Sequence, residues 1–132
     1  MSSTLANRVL DASAITLSGL CLVHCLALPA LAVALPLAGL WAEQEWVHQI
    51  FALSALPITV FAMTRPFHEG ARTSFILLAG IGLALLIGAA FIEGLHDLET
   101  PLTVVGALLL ATAHIRRWRR QHEAALTTGA AK

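Results

Sequence analysis

Between Phe75 and Ile92 the chain carries no charged side chain, and every residue of that run is apolar or glycine. A helix needs about 20 mostly apolar residues to cross the hydrocarbon core of a bilayer. Three more segments of the 132 residues read in the same way. The first runs apolar from Asp11 to about Trp41 and contains Pro29 and Pro36. It is too long for one straight span, so it reads as a helix from about Leu10 to Leu28 with a kinked or re-entrant continuation to Trp41. The second runs from about Glu45 to Met63, with Pro57 marking a kink. The third extends from about Thr73 to Leu95 and the fourth from Pro101 to Trp118, with Thr100 as N-cap and Pro101 in the first helical position. The expected fold is all-α: one integral membrane four-helix bundle with spans at about 10–40, 45–63, 73–95 and 101–118. The tail 122–132 is expected to be flexible.

Composition agrees. Charged types are only 12% of the chain and hydrophobic types 58%, with a mean hydropathy of +0.79. Soluble domains carry about 25% charge. These values exclude a disordered chain, a nucleic-acid binder and an ordinary cytosolic enzyme. Asp11 interrupts a charge-poor n-region and no small-residue cleavage site follows a short apolar stretch, so a cleaved leader is not expected. Two cysteines imply no disulfide framework.

The formal net charge is zero, yet the charges are sorted. Arg8, Arg65, Arg72, Arg116, Arg117, Arg119, Arg120 and Lys132 all fall on one side of a four-span topology. Glu43, Glu45, Glu93, Asp97 and Glu99 fall on the other. Basic residues collect on the cytoplasmic side, so both termini are expected there, in a bacterial inner membrane. Trp41, Trp46 and Trp118 take interfacial positions. Gly80, Ala84 and Gly88 recur every fourth residue in the third span, beside Ala79, Gly82 and Ala89. Small residues let helices approach closely in lipid. The expected use is packing within the monomer, with self-association left open.

Functional candidates concentrate in the first span. Cys21 and Cys25 stand one helical turn apart on one face, which Asp11, Ala14 and Ser18 continue, and His24 borders it. Paired thiolates suit a soft ion such as Hg, Cu(I) or Zn. Cysteine alone could be packing material, but an ionisable side chain within a span is costly and usually functional. Glu45–His48 and Glu93–His96 form two Glu-x-x-His motifs at one membrane depth, where they could make a hard or borderline metal site with Glu43, Asp97 or Glu99 nearby. Such pairs belong to the ligand pattern of di-iron and di-manganese bundles, whose remaining carboxylates the first and fourth spans do not supply here. His114 lies inside the fourth span, where two readings stay open: it completes a site with Cys21, His24 and Cys25, or, sitting just above Arg116, it snorkels to the inner interface. His68 and His122 read as solvated.

The run from Asp11 to Pro29, with Ser18, Cys21, His24, Cys25 and Pro29 in register, resembles the first span of MerC-domain membrane proteins. Similarity continues at Glu45–His48, at His68, and from Glu93 to His114, over nearly the whole chain. The resemblance implies a four-span inner-membrane protein for mercuric ion uptake, with Cys21 and Cys25 taking the ion from outside and passing it inward. The spacing departs from the Cys-x-x-Cys pair of mercury-operon transporters, and no cysteine follows in the tail, so a thiol relay lacks an inner acceptor of that kind. The extra histidines suit Zn, Cu or Fe at least as well as Hg. The alternative is therefore a membrane metalloprotein of enzymatic or redox type, with Glu45, His48, Glu93 and His96 as ligands or with haem held by two imidazoles. A thiol oxidoreductase is disfavoured, because a disulfide would have to join consecutive turns of one helix. No phosphate-binding loop or serine elbow is present, so the chain carries no ATP-driven motor and no recognisable enzyme motif. The expected partners are the lipid bilayer and a metal ion, with no nucleic acid.

Overall fold

The computed structural model describes residues 3–34, 45–65 and 71–129. Four helices account for nearly all of them: α1 (Ser3–Ala34), α2 (Glu45–Met63), α3 (Ala71–Phe91) and α4 (Glu99–Gly129). A short 3₁₀ segment, Glu93–Leu98, joins α3 to α4. There is no strand among the described residues, so the all-α expectation stands.

The helix limits depart from the apolar limits where local propensity outweighs hydropathy. α1 begins about two turns before Leu10, because Leu5, Ala6 and Arg8 are good helix formers. It continues past the position of Pro29 to Ala34, while Pro36, Trp41 and Glu43 lie outside the described residues. Pro57 sits inside α2. α4 starts at Glu99, one residue before the expected N-cap, with an acid in its first turn where the helix dipole favours one. Pro101 still falls in that first turn, where no backbone donor is required of it. The helix then continues to Gly129 through a segment rich in Arg, Gln, Glu and Ala, so the tail expected to fray from 122 is helical as far as it is described.

Among the described residues three helices are long and apolar enough to cross a membrane: Leu5–Ala27, Trp46–Met63 and Ala71–Phe91. The apolar part of α4, 102–115, is shorter and runs directly into the arginine cluster. Its place is set by packing. The helices are arranged in cyclic order, α1 against α2, α2 against α3, α3 against α4 and α4 against α1, with no close backbone approach across either diagonal among the described residues. α4 runs antiparallel to α1, since Thr103 meets Cys25 while His114 meets Asp11.

The bundle is built small inside and large outside. Its core holds Ala52, Ala55, Ala62, Ala79, Ala107 and Ala113, while Leu20, Val23, Leu53, Val60, Leu77, Ile81 and Leu108 point outward. A soluble core would be the reverse. In lipid the outer side chains gain nothing from being hidden, and helices associate by close backbone approach. The closest approach is at Gly82 and Gly106, where a Cβ on either glycine would sit 2.8 Å from the other's carbonyl oxygen. The packing stripe of α3 is therefore Phe75, Ala79, Gly82, Leu86 and Ala89. Gly80 and Ala84, which look equivalent in sequence, are off that seam: a Cβ on Gly80 meets nothing within 4 Å, and Ala84 is exposed.

Candidate metal centre

α1 presents one buried stripe at alternating three- and four-residue steps: Asp11, Ala14, Ser18, Cys21 and Cys25. The two sulfurs lie at its acid-rich end, 4.0 Å apart and in the reduced form. Cys25 Sγ is 3.6 Å from His48 Nε2 on α2 and 3.4 Å from Thr103 Oγ1 on α4. The opposite nitrogen of that imidazole, Nδ1, contacts the Glu99 carboxylate. A carboxylate only accepts, so Nδ1 carries a proton, and in the neutral ring Nε2 is then the lone pair facing the thiol. Thr103 donates to the Glu99 carbonyl oxygen at 2.8 Å, which fixes its oxygen toward Cys25. The His24 ring stands edge-on to His48, centroids 5.2 Å apart, and close to Phe51.

The chain of groups is thus Cys21, Cys25, His48, Glu99, drawn from three helices. With metal–sulfur and metal–nitrogen bonds of about 2.3 and 2.05 Å, tetrahedral ligands of one ion stand about 3.8 Å (S to S) and about 3.6 Å (S to N) apart. The observed separations, 4.0 and 3.6 Å, are close to these. The groups line up rather than converge, however: among the described residues no three His, Cys, Asp or Glu form a cluster suited to a metal ion. A soft ion content with two thiolates needs only the pair.

The expected residues separate into those brought together and those kept apart. Cys21, His24, Cys25 and His48 lie side by side. Glu93 is exposed on the 3₁₀ segment, and the carboxylate that reaches His48 is Glu99 instead. The side chains of Glu45 and His96, and all of His68, lie outside the described residues. His114 is not at the level of the cysteines. Thr103 already reaches Cys25, and eleven residues further along α4 carry His114 about 16 Å away.

There His114 enters a second buried cluster. Its Nδ1 is 2.8 Å from Asp11 Oδ1, and both side chains are wholly buried. Arg117 Nη1 lies 3.6 Å from the same carboxylate oxygen and donates to the Ala62 carbonyl of α2 at 3.1 Å. Gln121 Nε2 donates to Asp11 Oδ2 at 3.4 Å. Phe75 of α3 packs edge-on against His114 and lies beneath the Arg117 guanidinium. Arg117 had every appearance of an interfacial charge in sequence. The signal that it is buried was the stripe Thr103, Ala107, Leu110, His114, Arg117, which keeps three- and four-residue steps into the arginine cluster.

Between the two clusters lies a cavity of about 10 Å³, room for about one water molecule, bordered by Ala14, Ser18, Cys21, Ala55, Thr59 and Ala107. Neither a curated protein nor a solved structure matches the chain. The model of the MerC mercury resistance protein family matches residues 11–119, from the buried aspartate of α1 to the arginine cluster of α4, and the chain belongs to that family.

Proposed function

We propose that the chain is an inner-membrane carrier of a soft metal ion, mercuric ion as its family implies, which Cys21 and Cys25 receive at the acid-rich end of the bundle. The carrying observation is the reduced, buried thiol pair with the His48 imidazole 3.6 Å from Cys25 and Glu99 behind it. Metal binding displaces thiol protons, and a neutral imidazole beside the thiol is placed to accept one. Sulfur selects soft ions over hard ones. The imidazole joins as a further ligand or holds the pair in position, as carboxylate-backed histidines do around metals.

The sorting of charge supports a direction. Arg8, Arg72, Arg116, Arg119 and Arg120 crowd one end of the bundle and Glu93, Asp97 and Glu99 the other. By the basic-residue rule the arginine end faces the cytoplasm, so the thiols face outward and the ion moves inward. Cells expressing the Cys21→Ser/Cys25→Ser double variant should take up radiolabelled Hg(II) no faster than cells lacking the protein. Uptake at the native rate would reject the carrier reading.

A further inference from the structure

The carrier reading leaves Asp11, His114 and Arg117 without a task, and they lie about 21 Å along α1 from Cys25. We propose that these three residues form the closed release gate of the carrier, a charge-compensated knot that must part before an ion held by the thiols can leave at the arginine end. This inference rests on the carrier reading for its direction, but its geometry is independent of it.

Four observations converge. First, all four helices meet there: Asp11 from α1, the Ala62 carbonyl from α2, Phe75 from α3, and His114, Arg117 and Gln121 from α4. Among the described residues no comparable polar knot joins the helices between this one and the thiols, where alanines and a small cavity fill the centre. Second, the knot is costly if its only task is to hold the bundle. A buried ion pair is often replaceable by apolar side chains without loss, and the Gly82–Gly106 crossing already supplies the close packing that lipid-embedded helices use. Third, the knot closes the path. Asp11 continues the same stripe as Cys21, Ser18 and Ala14, and the cavity bordered by those three ends one turn short of it. Fourth, it is held by charge, which an arriving charge can undo. Asp11 faces one fixed cation, Arg117, and one titratable ring, His114, while Arg65, two residues past the end of α2, holds its guanidinium over Phe61. A cation reaching the carboxylate competes directly with Arg117, and once released Arg117 no longer ties α2 to α1. Asp11, His114 and Arg117 are thus positioning residues for release rather than ligands of the thiol site.

The test reads the gate without metal. A Ser18→Cys probe is placed in a full-length chain that also carries Cys21→Ser and Cys25→Ser, and a membrane-impermeant maleimide is applied to vesicles of either orientation. Ser18 is buried, so labelling should be slow from both sides. Adding Asp11→Asn, which keeps the shape and removes the charge, should speed labelling from the arginine side by roughly tenfold or more, as loss of one partner of a buried pair shifts the closed population. Labelling from the acidic side should not change. No acceleration, or equal acceleration from both sides, overturns the gate, the second result being general loosening. If the Asp11→Asn chain fails to reach the membrane, His114→Gln carries the same test with the same outcomes. In the otherwise native chain, Asp11→Asn should retain Hg(II) binding within about twofold, since sites this far apart behave independently; loss of binding would overturn the gate by placing Asp11 in the ion site. Failure of the carrier reading appears elsewhere, as undiminished uptake in the double serine variant.

Discussion

The two ends of the α1–α4 seam are built from different chemistry. At the acid-rich end Cys25 meets His48 and Thr103 at 3.6 and 3.4 Å, contacts that a small displacement can exchange for an ion. At the arginine end Asp11 accepts from His114 at 2.8 Å and is flanked by Arg117 and Gln121, so its oxygens are already occupied. One cluster is a set of soft donors with spare capacity and the other a closed set of charges. The contrast separates capture from closure: soft donors can select an ion, whereas a compensated ion pair can only hold helices together until something displaces a partner.

The largest effect expected from that contrast is on stability. Removing Arg117 leaves Asp11 buried without its fixed countercharge, and breaking a buried pair in this way costs about 3–5 kcal/mol. Arg117→Met should therefore lower the unfolding midpoint sharply in detergent, and Arg117→Met with Asp11→Leu should recover much of the loss. A double variant as unstable as the sum of the two singles would show that charge compensation is not what joins this end. At the other end the effect falls on affinity instead. His48→Ala and Glu99→Gln should each weaken Hg(II) binding by about 10- to 100-fold, the range for groups that orient a ligand, with little change in unfolding. Equal effects at the two ends, in either measurement, would erase the distinction.

How much of this was legible in sequence depended on whether one chain segment or two decided the outcome. The thiol face of α1 was legible because helical periodicity within one segment places Asp11, Ser18, Cys21 and Cys25 in line. The pairing of His48 with Glu99 was legible only in part: Glu99 stood with Glu43 and Asp97 among the acids near that depth, but which of them meets His48 depends on how far α4 slides along α1. The same slide decides the place of His114. Once Thr103 packs against Cys25, His114 can reach only Asp11. Three of the four long helices were plain from hydropathy as candidate membrane spans. The extent of α4 was not, since its last turns are helical by propensity rather than by apolar content.

A smaller effect concerns the packing that both ends share. Gly82→Ala places a methyl carbon 2.8 Å from the Gly106 carbonyl oxygen, and forcing atoms into such a crossing costs about 1–3 kcal/mol. Gly80→Ala should be neutral within about 0.5 kcal/mol, although the two glycines look alike in sequence. Equal destabilisation would place the α3 seam on the wrong face. The smallest effect is expected at Glu93, exposed on the connecting segment, where Glu93→Gln should leave Hg(II) affinity unchanged within about twofold, against the large loss at Glu99.

The most direct measurement is the number of Hg(II) ions retained per purified chain after gel filtration, compared between the native protein, Cys21→Ser/Cys25→Ser and His114→Gln. The expected result is one ion per native chain, none on the double serine variant, and one on His114→Gln. An ion that stays on the double serine variant, or that is lost with His114 alone, would contradict capture by the thiol pair of α1.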